Sequence, residues 1–485
     1  MAGPAPATDV DLLLDLLPPL PPQGSITTSH DPSLPHLSVV VNPRAGSGRA
    51  DALWTTAAAV LCARGVPVSR DAGAVVERTA REGDGARIGR ALGARIGSSG
   101  ADPGAAAAVR GQSEVLVVVG GDGTVHEVLN GLLLDDAGGG ELSEVAGRVE
   151  VVLIPAGTAN ALYHHLFPPE SPSYPSASPA APFYSLLSFL RSRVPQCATP
   201  ADTPVPALLP VPLALNTLPS TPATLTTVVS SCALHAALLH DAEALRASHP
   251  GLDRFKLAAQ ANVKRWWHGT LRLRGNVRRY DPAARAWVPA ADSGNDGDGG
   301  GEGDDETSVT GPWAYLVCAL VSRFEPAFVV APFRSPLSPL APSRDDAAAA
   351  AGRGGSGGRA SLDVVAIRPL RHGPTAALER AGRSSDAREG FVARVWGVTA
   401  GMYDGGRHVD QVYGADEAQG EDDGKRAVCD VWRAEEVEWV PDADPDDLKS
   451  RLVCLDGALH DLGAKGGTLR VQAVGGDSRG VSVWA

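Results

Sequence analysis

The chain has 485 residues, 44% of them apolar, and a formal net charge of −13. It is therefore long enough for roughly two to four domains with cores of their own. The acidic balance argues against nucleic-acid binding as the main function. Six widely spaced cysteines, none in a Cys-x-x-Cys pair, favour a reducing, intracellular environment over a disulfide framework or a zinc cluster. No apolar run reaches about 18 residues, so no transmembrane segment is expected and a membrane would be met from its surface.

The first part of the chain predicts a disordered tail followed by an α/β domain. Residues 1–35 are rich in proline and predict the tail. From residue 36 onward, apolar strands alternate with amphipathic helices, which is typical of a parallel sheet and predicts an α/β domain over residues 36–205. The predicted strands are Leu37–Val41, Val66–Val68, Val75–Val76, Val115–Val119 and Val149–Ile154, and the predicted helices are Asp51–Arg64, Glu82–Ile96 and Val125–Leu134.

From residue 206 onward the pattern changes, because strand-like segments follow one another with few helices between them. This predicts an antiparallel β domain over residues 206–485. Two inserts, near 290–310 and 341–360, have the acidic or Gly/Ala-rich composition of disordered linkers. The predicted strands are Leu213–Leu215, Leu225–Ser230, Thr270–Arg274, Tyr315–Val321, Phe328–Val330, Asp363–Ile367, Phe391–Val398 and Leu469–Ala473, and the predicted helices are Ala233–Ala247 and Leu252–Arg265.

Three short loops follow predicted strands of the first domain. They read NPRAGSG (Asn42–Gly48), GGDGT (Gly120–Thr124) and PAGTAN (Pro155–Asn160). The carboxyl ends of parallel strands face one crevice, where ligands bind. Glycine lets backbone amides approach a ligand closely, and helix N-termini favour anions. One such loop alone is more often a plain turn, but three of them together predict a polyphosphate site.

The stretches VVVNPRAGSGRA, VVVGGDGTVHEVLNGL and VVLIPAGTANAL resemble the diacylglycerol kinase catalytic domain family, which includes sphingosine (long-chain-base) kinases and bacterial diacylglycerol kinases. AEALRASHPGLDRF, VVAPF…SLDVVAIRPL and LDGA resemble later stretches of the family more loosely. The resemblance implies a Rossmann-like nucleotide-binding domain joined to a lipid-binding β-sandwich domain. It also implies ATP and Mg²⁺ as cofactors, a lipid substrate at a membrane surface, and a cytoplasmic protein that is peripheral on intracellular membranes.

The same resemblance assigns roles to individual residues. Asp122 becomes the catalytic proton acceptor, a role that suits a carboxylate beside the γ-phosphate. The alternative is that Asp122 only caps the helix that follows it, although Thr124 is equally able to cap. No cluster of His, Cys, Asp and Glu has metal-ligand spacing, so Mg²⁺ is expected to arrive with ATP. The residues assigned to the nucleotide are Asn42, Pro43, Arg44, Gly46, Gly48, Thr79, Gly120, Gly121, Gly123, Thr124, Glu127, Gly157, Thr158, Ala159, Arg246, Arg254, Asp456 and Gly457.

Four positions depart from the family pattern. Ala159 replaces the second glycine of Gly-Thr-Gly, and Ala458 replaces the glutamate of Asp-Gly-Glu. Ala237 and Leu239 stand where sphingosine kinases carry an acidic pair that recognises the lipid's head group. We expect an ATP-dependent lipid kinase, with a sphingoid long-chain base as the first candidate acceptor and diacylglycerol as the second. A lipid-binding relative with weakened catalysis fits the four departures, whereas NAD kinases share the GGDGT loop but need a later motif that is missing here.

Overall fold

In the computed structural model the chain divides into two compact units. One is formed by Met1–Ala137, Glu141–Val211 and Gly476–Ala485, and the other by Gly138–Gly140 and Pro212–Gly475. The structure describes residues 9–17, 36–68, 74–98, 113–134, 142, 148–193, 207–219, 221–249, 251, 253–290, 306–335, 360–414, 417, 427–475 and 479–485. Nearly all of the insert predicted at 341–360 and most of the one at 290–310 lie outside the described residues.

The first unit is built on one sheet. Its strands, numbered in chain order and given in spatial order, are β2 (Val75–Arg78), β1 (His36–Val41), β3 (Ser113–Gly120), β4 (Arg148–Pro155), β20 (Val481–Trp484) and β5 (Leu208–Pro210). Every neighbouring pair is parallel except β20 and β5. The central strands are apolar runs that are buried almost throughout, as expected of a parallel sheet covered by helices. The predicted α/β class is confirmed.

The helices of the first unit include a pair that packs through glycine. The helices are α1 (Asp9–Asp15), α2 (Ala50–Ala63), α3 (Asp84–Ser98), α4 (Asp122–Leu133), α5 (Ala161–Leu166) and α6 (Tyr184–Arg193). A Cβ atom added at Gly89 would lie 2.1 Å from the carbonyl oxygen of Val128, and one added at Gly131 would lie 1.9 Å from that of Ala86. The glycines that lower the helical propensity of α3 therefore permit its close approach to α4.

The C-terminal strand β20 corrects the predicted domain boundary. The sequence assigns everything after residue 206 to the second domain, but β20 pairs with β4 on one side and with β5 on the other. The indole nitrogen of Trp484 donates to the carboxylate of Glu150 at 3.1 Å, which fixes the strand in place. No local pattern in so short a strand indicates a partner that precedes it by more than 300 residues.

The prediction of a wholly disordered N-terminal tail is also wrong, because residues 9–15 form the helix α1. Leu13 and Leu17, four residues apart, are buried. A guanidinium nitrogen of Arg64, which follows α2, donates to the carbonyl oxygen of Leu14 at 2.9 Å. A short leucine-rich helix of this kind gains its stability from packing against a neighbour, which composition does not reveal.

The second unit contains two antiparallel sheets. In spatial order, one has β11 (Ala286–Pro289), β10 (Arg278–Asp281), β15 (Asp430–Ala434), β14 (Leu362–Ile367), β13 (Tyr315–Ala319), β8 (Val229–Cys232), β17 (Leu452–Leu455) and β18 (Ala458–Asp461). The other has β12 (Glu306–Thr310), β9 (Gly269–Arg274), β16 (Glu436–Pro441), β19 (Leu469–Val474), β6 (Leu213–Leu218) and β7 (Thr221–Thr226). The predicted antiparallel class is confirmed, although β12 falls at the end of a segment predicted to be a disordered insert.

The helices of this unit include one segment that was predicted to be a strand. They are α7 (Ala233–Ala244), α8 (Asp253–Asn262), α9 (Gly373–Arg380) and α10 (Ser384–Tyr403). The predicted strand Phe391–Val398 is wrong, since it lies inside α10. Its alternating residues suggest a strand, but Phe391, Val395, Val398 and Met402 are buried at helical spacing. Among the described residues, no helix combines the length and the hydropathy that a membrane span requires.

Candidate active site

The three glycine-rich loops lie side by side at the carboxyl edge of the first unit's sheet. The amide of Asn42 donates to the carbonyl oxygen of Val119 at 2.9 Å, so the first loop begins beside the second. The amide of Ala156 donates to the carbonyl oxygen of Gly120 at 2.8 Å, so the second begins beside the third. The strand register therefore brings together the loops that the sequence predicts to share one crevice.

Glycines let the backbones of these loops touch. A Cβ atom added at Gly121 would lie 2.9 Å from the Cα atom of Gly157, so the second and third loops meet backbone to backbone. One added at Gly46, whose φ is 51°, would lie 2.4 Å from the carbonyl oxygen of Ala156. Any larger residue at these positions would force the loops apart. The glycines thus hold three backbone segments together in a site suited to an anionic ligand.

Asn42 links the first loop to the helix that follows the second. Its side-chain nitrogen donates to the hydroxyl of Thr124 at 2.9 Å, and its side-chain oxygen accepts from the backbone amide of Arg44 at 3.1 Å. Thr124 is buried, whereas the side chain of Arg44 is exposed. Asn42 and Thr124 therefore help to build the loops, and Arg44 is the exposed cation of the first loop.

Asp122 is the first residue of α4, and its carboxylate reaches across to the third loop. One carboxylate oxygen accepts from the amide of Ala161 at 2.8 Å, and the other accepts from the amide of Leu162 at 3.1 Å. These amides belong to the first turn of α5, so Asp122 caps α5. The residue at the N-cap position of α4 is Gly121, and no side chain caps that helix. Asp122 itself occupies the first position of α4, one residue after the N-cap.

The third loop is held by Asn160, a residue that sequence reasoning did not single out. Asn160 has a left-handed backbone, with φ 52°. Its side-chain oxygen accepts from the amide of Gly157 at 2.8 Å, and its side-chain nitrogen donates to the carbonyl oxygen of Gly157 at 2.9 Å. Ala159 is not among the residues with positive φ, so alanine fits where the family has glycine. The available signal was an asparagine just before a helix, because asparagine tolerates the left-handed region.

Glu127, predicted to contact the nucleotide, forms hydrogen bonds with the backbone at the start of α3. Its carboxylate accepts from the amide of Gly83 at 3.1 Å and from that of Gly85 at 2.9 Å. The amides of Ala80 and Arg81 donate to Asp84, and these hydrogen bonds lower the pKa of the Asp84 carboxyl. Two carboxylates thus satisfy backbone amides around the start of α3, as capping side chains do.

Asp456 and Gly457, also predicted to contact the nucleotide, form the turn between β17 and β18 in the second unit. Asp456 has a left-handed backbone, with φ 49°, and is 9% exposed. Its carboxylate accepts from the amides of Thr227, Val228 and Val229 at 2.6 to 2.9 Å. This carboxylate therefore organises the segment that leads into β8, and its contact with a nucleotide stays a prediction.

The two arginines predicted to contact phosphate differ in exposure. Arg246 is exposed on the surface of the second unit and pairs with Glu243, with its Nε atom 2.9 Å from a carboxylate oxygen. Arg254 is buried, and its guanidinium lies 4.6 Å from the centre of the Phe255 ring. Both phosphate contacts stay predictions.

Helix α7 carries the positions where the resemblance places recognition of the lipid's head group. Ala237 is 0% exposed and belongs to the core, and Leu239 is partly buried against the cluster of Ala236, Leu452 and Cys454. The carboxylate of Asp241, on the same helix, accepts from the ammonium of Lys449 at 2.6 Å and from the amide nitrogen of Asn262 at 2.7 Å. Burial alone would raise the pKa of Asp241, but these hydrogen bonds and that from His240 lower it. The charge of Asp241 is thus balanced within the second unit.

The three loops lie in the part of the chain that matches a known protein family. Residues 36–180 match the family described as "Diacylglycerol kinase catalytic domain". Among curated proteins no match was found. Two solved structures named as a putative diacylglycerol kinase from Bacillus anthracis str. Sterne align with 12% and 13% identity and TM-scores of 0.42 and 0.41. Each alignment includes 91% of this chain. The two alignments include 95% and 94% of the matched chains, respectively.

Proposed function

We propose that the protein is an ATP-dependent lipid kinase that transfers the γ-phosphate of ATP to a lipid hydroxyl, on the premise that residues 36–180, which match the diacylglycerol kinase catalytic domain, form such a domain. The observation that carries this proposal is the contact of three glycine-rich loops around Asp122. Phosphoryl transfer depends mostly on positioning and charge neutralisation, and a rigid edge of backbone amides with one carboxylate supplies both.

The nucleotide phosphates would bind along the three loops. Close backbone contact at Gly46, Gly121 and Gly157 leaves little side-chain bulk between the loops and a ligand. The N-terminus of α4 favours negative charge, and the exposed guanidinium of Arg44 adds a mobile cation. These features support a triphosphate as the ligand rather than a neutral cofactor.

Mg²⁺ fits this site as part of the nucleotide complex. Among the residues that the structure describes, no three His, Cys, Asp or Glu side chains are grouped so as to hold a metal ion. Mg²⁺ keeps several waters and is commonly held by one or two carboxylates together with substrate phosphates. The ion would be held by the nucleotide phosphates and by water, and it would neutralise charge on the phosphates.

Asp122 would orient the acceptor hydroxyl and take its proton. A carboxylate has about four acceptor positions. Accepting the amides of Ala161 and Leu162 is therefore compatible with accepting a hydroxyl hydrogen as well. Since the transition state of phosphoryl transfer is loose in most analyses, the orientation of the hydroxyl counts for more than early removal of its proton.

The acceptor that the second unit favours is an uncharged lipid. A sphingoid base carries an ammonium group, which requires a partner charge in a half-buried site. On α7, Ala237 is in the core, Leu239 is apolar and partly buried, and Asp241 is already paired with Lys449. We therefore propose diacylglycerol ahead of the sphingoid base that the sequence favours.

The experiment uses the purified full-length chain with Mg²⁺, γ-labelled ATP and mixed micelles that contain diacylglycerol, a sphingoid base or neither, with NAD as a further acceptor. Asp122→Asn is compared with Asp51→Asn, the same change at an exposed carboxylate that pairs with Arg78. The proposal expects label in diacylglycerol that falls by about 10²–10⁴-fold in Asp122→Asn and stays unchanged in Asp51→Asn. Label in NAD, or in none of the acceptors, would contradict it.

A further inference from the structure

Asn160 occupies the N-cap position of α5 without capping it. An N-cap asparagine usually accepts a hydrogen bond from an amide of the helix's first turn. Here the side chain turns back and forms two hydrogen bonds with the backbone of Gly157, at 2.8 and 2.9 Å. No side chain of the N-cap residue bonds to α5. The backbone of Asn160 is left-handed, with φ 52°.

The side chain of Asp122, rather than that of Asn160, caps α5. The amides of Ala161 and Leu162, which follow Asn160 directly, donate to the two oxygens of the Asp122 carboxylate. A second route joins the same residues, since Gly157 is held by Asn160 and lies against Gly121, the chain neighbour of Asp122. Asn160 is therefore linked to Asp122 by two routes.

We propose that Asn160 is a positioning residue that acts on phosphoryl transfer through Asp122. Without its side chain the peptide between residues 157 and 160 can turn, and the amides of Ala161 and Leu162 lose their fixed direction. The Asp122 carboxylate then loses two donors that fix its rotamer, and the acceptor hydroxyl loses its alignment. This inference rests on the proposed function and specifies what keeps its catalytic carboxylate in place.

A competing explanation is that asparagine is present only because the backbone is left-handed. Substitution separates the two explanations, because glycine adopts that conformation at no steric cost whereas alanine does not. Asn160→Gly removes the side chain and keeps the backbone allowed. Asn160→Ala removes the side chain and adds strain of about 1–2 kcal/mol. Asn160→Asp keeps an acceptor for the amide of Gly157 and loses the donor to its carbonyl oxygen.

We expect Asn160→Gly to fold with an unchanged or higher Tm and to lose about 10- to 100-fold in kcat, since displacement of a catalytic group by about 1 Å costs that much. KM for ATP should rise by less than kcat falls, because the first two loops are unchanged. Asn160→Asp should recover part of the rate. The matched control is Arg285→Gly, a left-handed residue in the exposed turn between β10 and β11, which should leave kcat unchanged.

A double-mutant cycle tests whether Asn160 acts through Asp122. If it does, Asn160→Gly should lower the residual rate of Asp122→Asn by less than about twofold, because residues that act as one unit are strongly non-additive. Losses that multiply in the double variant would overturn the inference. So would an Asn160→Gly enzyme with wild-type kcat.

Amide hydrogen exchange gives a readout that does not depend on kinase activity. In the wild-type protein the amides of Ala161 and Leu162 should be protected, and in Asn160→Gly they should exchange at least about tenfold faster. Wild-type protection in Asn160→Gly would overturn the positioning role even if the enzyme is active. Absence of phosphoryl transfer by the wild-type protein, with the exchange result as expected, would instead contradict the proposed function and leave the structural link between Asn160 and Asp122 intact.

Discussion

Asp122 in the first unit and Asp456 in the second are both aspartates beside glycine in motifs of one family, and both accept backbone amides from a distant segment. They differ in burial and in neighbours. Asp456 is almost fully buried, and its carboxylate accepts three backbone amides. Asp122 is partly exposed, receives two amides and stands where three glycine-rich loops meet. A motif match therefore identifies a residue, and its surroundings decide whether that residue serves the reaction or the fold.

The largest effect is expected on activity, where substitution of Asp122 should differ from substitution of Asp456. Asp122→Asn should reduce phosphoryl transfer by about 10²–10⁴-fold, because the variant loses the carboxylate that orients the hydroxyl and takes its proton. Its free energy of unfolding should change by less than about 1.5 kcal/mol, since one side-chain oxygen still accepts an amide at a partly exposed position. Initial rates and urea denaturation of the same sample test this. If Asp122→Asn kept its activity, Asp122 would not differ from Asp456 in its role.

The second largest effect is expected on stability, from substitution of Asp456. Asp456→Asn should lower the free energy of unfolding by about 2–3 kcal/mol, because its new amide group faces backbone donors in a buried turn. Asparagine accepts the left-handed backbone of this position, so backbone strain does not contribute. Urea denaturation monitored by tryptophan fluorescence measures the loss. If stability is unchanged and KM for ATP rises about tenfold, then Asp456 binds nucleotide and resembles Asp122 after all.

Most of the first unit's sheet and its loops could be predicted because their signals are local. Buried apolar runs and glycine-rich turns lie next to each other in sequence, and parallel topology brings them to one edge. The positions that failed depend on distant partners. Helix α1 is stabilised by α2, and strand β20 pairs with β4. Asn160 was missed because its role lies in backbone geometry.

A smaller effect is expected from Glu127, a third carboxylate that accepts two backbone amides. Glu127→Gln should cost about 1 kcal/mol of stability, as loss of a helix-capping interaction does, while KM for ATP stays within about twofold. Thermal unfolding and ATP saturation curves measure the two quantities. If KM rises about tenfold at unchanged Tm, the nucleotide contact implied by the family resemblance is the correct role for Glu127.

The smallest effect concerns Asp241, whose pKa is lowered by hydrogen bonds from Lys449, Asn262 and His240 against the opposing effect of burial. A carboxyl whose pKa is lower in the folded state stabilises the protein above its ordinary value of 3.8 and loses that contribution as the pH falls through the folded value. Asp241→Asn should therefore be less stable than wild type at pH 7. The difference should shrink below pH 3.8, as measured by urea titrations at both pH values. A difference that is independent of pH would show that the ion pair with Lys449 contributes nothing.

The most direct measurement of the central claim is the rate at which the wild-type chain transfers γ-phosphate from Mg²⁺–ATP to diacylglycerol in mixed micelles, with the Asp122→Asn variant assayed in parallel. We predict a labelled phospholipid product whose formation depends on Asp122, and less product from a sphingoid base under the same conditions. A wild-type protein that labels no lipid, or a lipid label that persists undiminished in Asp122→Asn, would contradict it.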